Sequence, residues 1–119
     1  MIKKPKIYIA GPYTQGALIG NIRNAMNLFE DITRMGGCPY CPHLSAFQDL
    51  VHPHDVGFWY NYDTEWLDVC NALYRIPGYS PGADNEVQFM LDKGKPVLDS
   101  YERLVEYIRN WNAGEVKNE

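Results

Sequence analysis

The 119-residue sequence has no long hydrophobic run. Its N-terminal lysines are followed by only a brief apolar stretch, Ile7 to Ala10, before Gly11 and Pro12. That stretch is too short for a secretory signal peptide or for a membrane span. We therefore expect a cytoplasmic protein that does not bind a membrane.

Basic residues are also few, because 11 Lys and Arg against 15 Asp and Glu leave a formal net charge of −4. They cluster only at Lys3, Lys4 and Lys6. A protein that binds a nucleic acid duplex needs a basic surface to neutralise the phosphates, so we do not expect duplex binding. A small charged substrate held by a few local donors remains open.

Cysteine occurs at three positions, an odd number that favours reduced thiols over a disulfide framework. Cys38 and Cys41 form a Cys-x-x-Cys pair near His43, which raises the alternative of a metal site. A structural zinc site usually has two ligand pairs at fixed spacing, whereas the second pair here would be a His-Pro-His at 52–54 in a predicted loop. Haem attachment requires histidine where the chain has Pro42. We predict no metal and no cofactor.

The composition, 45% hydrophobic and 22% charged, is typical of a globular protein, and the length fits one domain spanning residues 1–119. Apolar patterns predict strands alternating with helices. The strands are expected at Lys6–Ala10, Cys38–Cys41, Asn71–Ile76 and Lys95–Leu98, and the helices at 21–35, 58–70, around 86–93 and at 101–111. Residues 44–56 are expected to form a loop or a short irregular helix.

This alternation predicts an α/β fold, a Rossmann-like or flavodoxin-like three-layer sandwich with a mainly parallel sheet of four to five strands. In such sheets the ligand lies at the carboxyl ends of the strands, near the switch in strand order. The loops after the first and third strands should emerge at that edge.

The stretch from Ile76 to Val97 is typical of a loop that leads into a helix. We expect Glu86 in the first turn, where the helix dipole favours the ionised carboxylate by roughly 0.3–1 kcal/mol and keeps it available as a nucleophile. Ser80 and Gly82 are suited to hold a phosphate or a sugar oxygen ahead of a helix N-terminus. The alternative is an ordinary turn with an acidic helix start.

Aromatic residues are dense between Phe58 and Leu67. Core packing explains some of them, and a subunit interface or the wall of a base-binding pocket explains the others. Asp63 lies among these rings, so we predict a functional role for it, with a solvated helix face as the alternative. His43, in the loop after the second strand, could line the same site.

Several fragments, in their order and spacing, resemble the nucleoside 2-deoxyribosyltransferase superfamily, including its small phage and bacterial members. The resemblance covers about Lys6 to Leu98. It rests on Ile7-Tyr-Ile-Ala-Gly-Pro12, Asn21 opening the first helix, Pro42-His43, Asp63 with Trp66-Leu67, Ser80-x-Gly82-x-x-x-Glu86 and Gly94-Lys95-Pro96.

The resemblance implies that Glu86 attacks the anomeric carbon of a sugar, that Asp63 assists and that Tyr8 positions the nucleophile. It also implies homo-oligomers with sites near the subunit boundary. Serine at position 80 favours a nucleoside 5'-phosphate, as in the related hydrolases. The predicted substrate-binding residues are Gly11, Pro12, Tyr13, Asn21, His43, Ser80 and Gly82. The predicted function is cleavage or transfer of an N-glycosidic bond, with a non-catalytic nucleotide-binding module as the alternative.

Overall fold

The computed structural model describes residues 3–114, and the two ends of the predicted 1–119 domain lie outside the described residues. Four strands run over Lys6–Ala10 (β1), Cys38–Tyr40 (β2), Ala72–Arg75 (β3) and Val97–Leu98 (β4) within this range. The helices of the same range are Leu18–Met35 (α1), Ala46–Val51 (α2), Val56–Val69 (α3), Pro81–Asp92 (α4) and Tyr101–Asn112 (α5), with a 3₁₀ turn over Pro42–Ser45.

The strands form one sheet in the order β2-β1-β3-β4, and every pairing is parallel. Tyr8 of β1 is paired with Tyr40 on one side and with Leu73 on the other. From β1 the chain crosses first to β2 at one side and later to β3 at the other, so the strand order switches between β1 and β3. The predicted α/β fold with a parallel sheet is confirmed.

Side chains that alternate along β1 feed two separate cores, because successive residues of a strand point to opposite faces of the sheet. Ile7 and Ile9 belong to one core, which contains Ala25, Leu28 and Ile32 of α1 with Leu104 and Ile108 of α5. Tyr8 and Ala10 belong to the other, which contains Leu67 of α3 with Ala83 and Met90 of α4. Helices therefore cover both faces, and the molecule has three layers.

Helices α1 and α4 begin three or more residues earlier than the sequence pattern indicates, and α3 begins two residues earlier, at Val56. Helix α1 starts at Leu18, three residues before the predicted Asn21, and ends as expected at Gly36, whose φ of 97° favours glycine. Helix α4 starts at Pro81, because the Ser80 hydroxyl oxygen caps it and proline is well tolerated at the first helical position. The predicted first-turn position of Glu86 is therefore wrong, since this residue lies in the second turn.

The segment between β2 and α3 was the least predictable part of the chain. It contains the 3₁₀ turn and the short helix α2, which agrees with the expected short irregular helix. Helix α3 begins after Asp55, whose carboxylate caps the helix by accepting a hydrogen bond from the backbone N–H of Phe58. Across residues 3–114, no helix is long and apolar enough to cross a membrane.

Candidate active site

A cavity of about 360 Å³ lies at the carboxyl edge of the sheet, between the elements that follow β1, β2 and β3. This is the position where parallel sheets bind ligands, next to the switch in strand order. Seven of the ten predicted site residues line it: Gly11, Tyr13, His43, Asp63, Ser80, Gly82 and Glu86. The other lining residues are Ile9, Thr14, Pro42, Ser45, Asp49, His54, Val56, Trp59, Tyr60 and Ala83.

Glu86 reaches the cavity from the second turn of α4, and its Oε2 accepts a hydrogen bond from the Tyr8 hydroxyl. Tyr8 is completely buried in the central strand β1. Burial, and then the negative charge of Glu86, raise the pKa of the Tyr8 phenol far above its ordinary value. Tyr8 therefore keeps its proton at any physiological pH and acts as a fixed donor to Glu86.

The pKa of the Glu86 carboxyl is raised from 4.5 to about 7. Removal from water is the largest cause, because burial disfavours the charged form. The hydrogen bond from Tyr8 opposes this rise, the charge of Asp63 adds to it, and Arg75 opposes it. The expectation that the helix dipole keeps Glu86 ionised is therefore wrong, since the dipole acts mainly in the first turn and burial outweighs it.

Asp63 is held by a second tyrosine. The Tyr40 hydroxyl donates to Asp63 Oδ1 across 3.1 Å. Burial raises the pKa of Asp63 to about 6, and the hydrogen bond from Tyr40 opposes that rise. The pKa of Tyr40 is itself raised, first by burial and then by Asp63, so this hydroxyl also stays protonated. The site thus contains two carboxyl groups that titrate near neutral pH.

Tyr40 was not among the predicted site residues. The Tyr8 and Tyr40 rings are stacked with centroids 5.5 Å apart, and Tyr40 is stacked in turn on Trp66 with centroids 5.7 Å apart. The stack follows from strand pairing, because Tyr8 and Tyr40 are direct partners in the β1 and β2 register. Aligning the two predicted strands in parallel would have revealed this residue.

Pro12 and Asn21, both predicted to bind substrate, do not line the cavity. The Asn21 amide donates to the carbonyl oxygens of Tyr13 (3.0 Å) and Gln15 (2.7 Å), which fixes the loop after β1. His43 Nε2 lies 2.8 Å from the carbonyl oxygen of Pro12. Because a carbonyl can only accept, Nε2 carries the proton of this buried ring. Burial lowers the pKa of His43, so the imidazole is neutral and serves as a rigid support for the loop.

The N-terminus of α4 forms another part of the wall. Ser80 is buried, and its Oγ accepts a hydrogen bond from the N–H of Ala83 across 3.1 Å. At Gly82 an added Cβ would meet no atom within 4 Å, so the backbone here faces open space. The role of Ser80 and Gly82 in holding a phosphate stays a prediction, and the observed hydrogen bond accounts for Ser80 as a helix cap.

Arg75 stabilises the loop between β3 and α4. Its guanidinium donates to the carbonyl oxygens of Ile76 and Gly78 and forms an ion pair with Asp84 at 2.9 Å. Asp84 is the acidic residue in the first turn of α4, and its carboxylate is paired with Arg75. The charge of Asp84 is therefore partly neutralised at this end of the helix.

The Cys/His cluster does not assemble into a ligand set in the described part of the chain. Cys38 is exposed whereas Cys41 is buried, with its Sγ 3.9 Å from His43 Nδ1. Residues three apart in extended chain point to opposite faces, which separates the two thiols. No group of three or more His, Cys, Asp or Glu that could hold a metal occurs among residues 3–114.

Comparison with known proteins identifies relatives but no activity. A family model described as a domain of unknown function (DUF7768) matches residues 5–100. The chain is also similar to the crystal structure of a conserved protein from Enterococcus faecalis V583, with 26% sequence identity and a TM-score of 0.66. That alignment covers 80% of this chain and 62% of the other, so this chain spans less than two thirds of that protein. No curated protein matches the sequence.

Proposed function

This chain belongs to the family of the domain of unknown function DUF7768, and we propose that it cleaves or transfers the N-glycosidic bond of a (deoxy)nucleoside or nucleoside 5'-monophosphate. One observation carries the proposal. The Glu86 carboxyl lines a cavity at the strand ends, is held by a buried tyrosine, and shares the cavity with a second tyrosine-bound carboxyl, that of Asp63. Most enzymes that break a glycosidic bond use two carboxyl groups that flank this bond.

Glu86 is the nucleophile in this mechanism. Tyr8 occupies Oε2, which leaves Oε1 to attack the anomeric carbon. The new bond joins Oε1 to that carbon while the bond from carbon to the base nitrogen breaks, and its electron pair passes to the base. Asp63, in its protonated form, gives its proton to the departing base. The result is a glycosyl ester on Glu86 and a free neutral base.

The second half of the reaction resolves this ester. Water or a second base attacks the anomeric carbon, the ester bond to Glu86 breaks, and the Asp63 carboxylate takes up the proton that the attacking group loses. Attack by water gives hydrolysis and attack by a base gives transfer, so both outcomes share the first step. The charges of the two carboxyl groups return to their initial state.

The pKa values define which form of the protein reacts. The proposed step requires Glu86 ionised and Asp63 protonated, yet the pKa of Glu86 is about 7 and that of Asp63 about 6. Because the two groups interact, they titrate as a coupled pair, and between about pH 6 and about pH 7 the pair holds about one proton. The reactive arrangement, with that proton on Asp63 and Glu86 ionised, is most populated in this pH range.

The shape of the cavity supports a planar base as the leaving group. Its volume of about 360 Å³ falls within the range of small-molecule sites. The rings of Tyr13, Trp59 and Tyr60 form part of its wall, and aromatic side chains pack well against flat rings. Tyr13 belongs to the loop after β1, whereas Trp59 and Tyr60 belong to helix α3.

The test is incubation of the purified protein with a panel of deoxynucleosides and their 5'-monophosphates, followed by chromatography for released base. Adding a second free base distinguishes transfer from hydrolysis, because only transfer makes a new nucleoside. Release from at least one substrate is the expected result. Measurable binding of nucleotides without release from any of them would instead favour a non-catalytic binding module.

We also propose that the chain forms homo-oligomers and functions in the cytoplasm. Several large apolar side chains around α2 and the start of α3 are more than 60% exposed, namely Phe47, Leu50, Val51 and Val56. A second cavity of about 540 Å³ is lined by Gln48 of α2 and by Phe58 and Tyr62 of α3, and by neither Glu86 nor Asp63. Apolar surface of this kind is typical of protein contacts. A strictly monomeric mass by light scattering at micromolar concentration would contradict the oligomer.

A further inference from the structure

A third carboxylate lines the same cavity, and the proposed reaction does not use it. Asp49, on helix α2, is part of the wall together with His54 and Trp59. It lies on a different element from both Glu86 and Asp63. A charged group on the wall of a cavity for a small ligand is a natural determinant of which ligand binds.

The hydrogen bonds of Asp49 leave its two oxygens in different situations. Oδ1 accepts from the indole Nε1–H of Trp59 at 2.7 Å and from the backbone N–H of His54 at 2.9 Å. Two donors on one oxygen use its acceptor capacity and fix the orientation of the carboxylate. Within residues 3–114, no hydrogen bond is made to Oδ2. One oxygen is thus anchored to the protein and the other remains available to a ligand.

The charge of Asp49 makes the available oxygen a strict acceptor. The backbone N–H of His54, and next the indole of Trp59, lower the pKa of Asp49. The group is therefore ionised at neutral pH and has no proton to donate. A ligand atom that approaches Oδ2 must bring an N–H or O–H, because an approaching carbonyl oxygen would be repelled.

We propose that Asp49 selects nucleosides whose base carries an exocyclic amino group, as adenine, cytosine and guanine do. This inference rests on the proposed function. An amino group extends beyond the ring and can donate to Oδ2 while the ring packs against Trp59. In thymine and uracil the only free ring N–H lies between two carbonyl oxygens, and both of these would approach the carboxylate. Since Oδ1 already accepts two hydrogen bonds, only Oδ2 is available to the base, and the carboxylate cannot bind it through both oxygens.

The replacement Asp49→Asn tests this inference with little change in shape. The amide oxygen can take the place of Oδ1 and still accept from Trp59 and His54. The amide nitrogen then replaces Oδ2, so an acceptor becomes a donor. Asp55→Asn is the matched control, because Asp55 also loses its charge, retains an oxygen for capping α3, and does not line the cavity.

The measurements use two pairs of ligands, each differing at one edge of the base. The first pair is deoxycytidine and deoxyuridine, and the second is deoxyadenosine and its analogue that lacks the amino group. Binding is followed by calorimetry and base release by chromatography. Wild type and Asp55→Asn should favour the amino-bearing partner of each pair by about tenfold or more, as expected for one hydrogen bond to a charged group. Asp49→Asn should lose this preference and favour deoxyuridine over deoxycytidine.

The outcomes separate this inference from the proposed reaction. Equal ratios in wild type and Asp49→Asn would overturn the role of Asp49, whether or not base is released. The amino preference in binding, with no base release from any ligand, would leave the inference standing and contradict the reaction. The wild-type ratio is a test in itself, so absence of any preference there overturns the inference even if the variant does not fold. Absence of both binding and release overturns both proposals.

Discussion

The two tyrosine–carboxyl pairs of the site, Tyr8 with Glu86 and Tyr40 with Asp63, are built alike but placed differently. The tyrosines are register partners on neighbouring strands, and each donates its hydroxyl to one carboxyl group. Tyr8 lies in a central strand and is completely buried, whereas Tyr40 lies in the edge strand β2 and is only partly buried. The deeper pair has the higher carboxyl pKa, about 7 against about 6.

This difference shows how the depth of burial changes the pKa of two carboxyl groups that are held in the same way. Both tyrosine hydroxyls favour the ionised form of their partner, while burial favours the protonated form. Because the two groups also interact, they titrate as a pair with two apparent pKa values. Near neutral pH the pair therefore holds about one proton, which is the charge state that the proposed reaction requires.

The largest expected effect is that of Glu86→Gln, which removes the proposed nucleophile from the deeper pair. The amide keeps an oxygen that can accept from Tyr8, but it cannot form the glycosyl ester. We expect base release to fall below detection while nucleotide binding largely persists. Asp84→Asn on the same helix is the matched control, since Asp84 is exposed and paired with Arg75. Wild-type turnover in Glu86→Gln would refute the catalytic assignment.

A smaller loss is expected for Asp63→Asn, which removes the proposed general acid from the shallower pair. General acids contribute roughly 10²–10⁴-fold to such reactions. In the wild type, kcat/KM should be bell-shaped with a maximum between about pH 6 and about pH 7, because activity needs one carboxylate and one carboxyl. In Asp63→Asn, kcat/KM should no longer fall on the alkaline side of the maximum. An unaltered bell in Asp63→Asn would show that another group supplies the proton.

Removal of the two hydroxyls by Tyr8→Phe and Tyr40→Phe compares the pairs directly. Each hydrogen bond lowers the pKa of its carboxyl partner, so each variant raises that pKa. For Tyr8→Phe this makes ionised Glu86 rarer, and kcat/KM should fall about tenfold for each unit of the rise. For Tyr40→Phe the proton moves toward Asp63, which favours the reactive arrangement and limits the loss. Equal losses and identical pH profiles in the two variants would contradict the division of roles.

The smallest effect concerns stability. The pKa of Glu86 is higher in the folded protein, about 7 against an ordinary 4.5, so its contribution to stability is fully present below about pH 4.5 and is lost as the pH rises through about 7. Glutamine does not titrate. Between pH 4.5 and pH 8 the melting temperature of Glu86→Gln should therefore rise relative to that of the wild type. A difference between the two proteins that is constant with pH would show that Glu86 has no raised pKa.

The sequence by itself was sufficient to predict the fold, and seven of the ten residues that were expected in the candidate site line one cavity. The β-branched and aromatic run at Lys6–Ala10, the helical spacing in 21–35 and 101–111, and Gly36 as a helix end are local signals, and the structure contains each element within a few residues of its predicted bounds. Parallel strands then place the loops after β1 and β3 at one edge. Glu86, Asp63 and Ser80 could be found because their surroundings in the chain are informative.

Only the tertiary structure decided the protonation and the pairing of these groups. The pKa of Glu86 depends on burial and on Tyr8, which is 78 positions away in the chain, and a sequence pattern contains neither. Tyr40 of β2 donates to Asp63 of α3 across 23 positions of the chain, and Trp59 of α3 donates to Asp49 of α2 across 10 positions. Local sequence determines which elements form. Charge state and partner choice arise from desolvation and contact between distant segments, which exist only once the chain is folded.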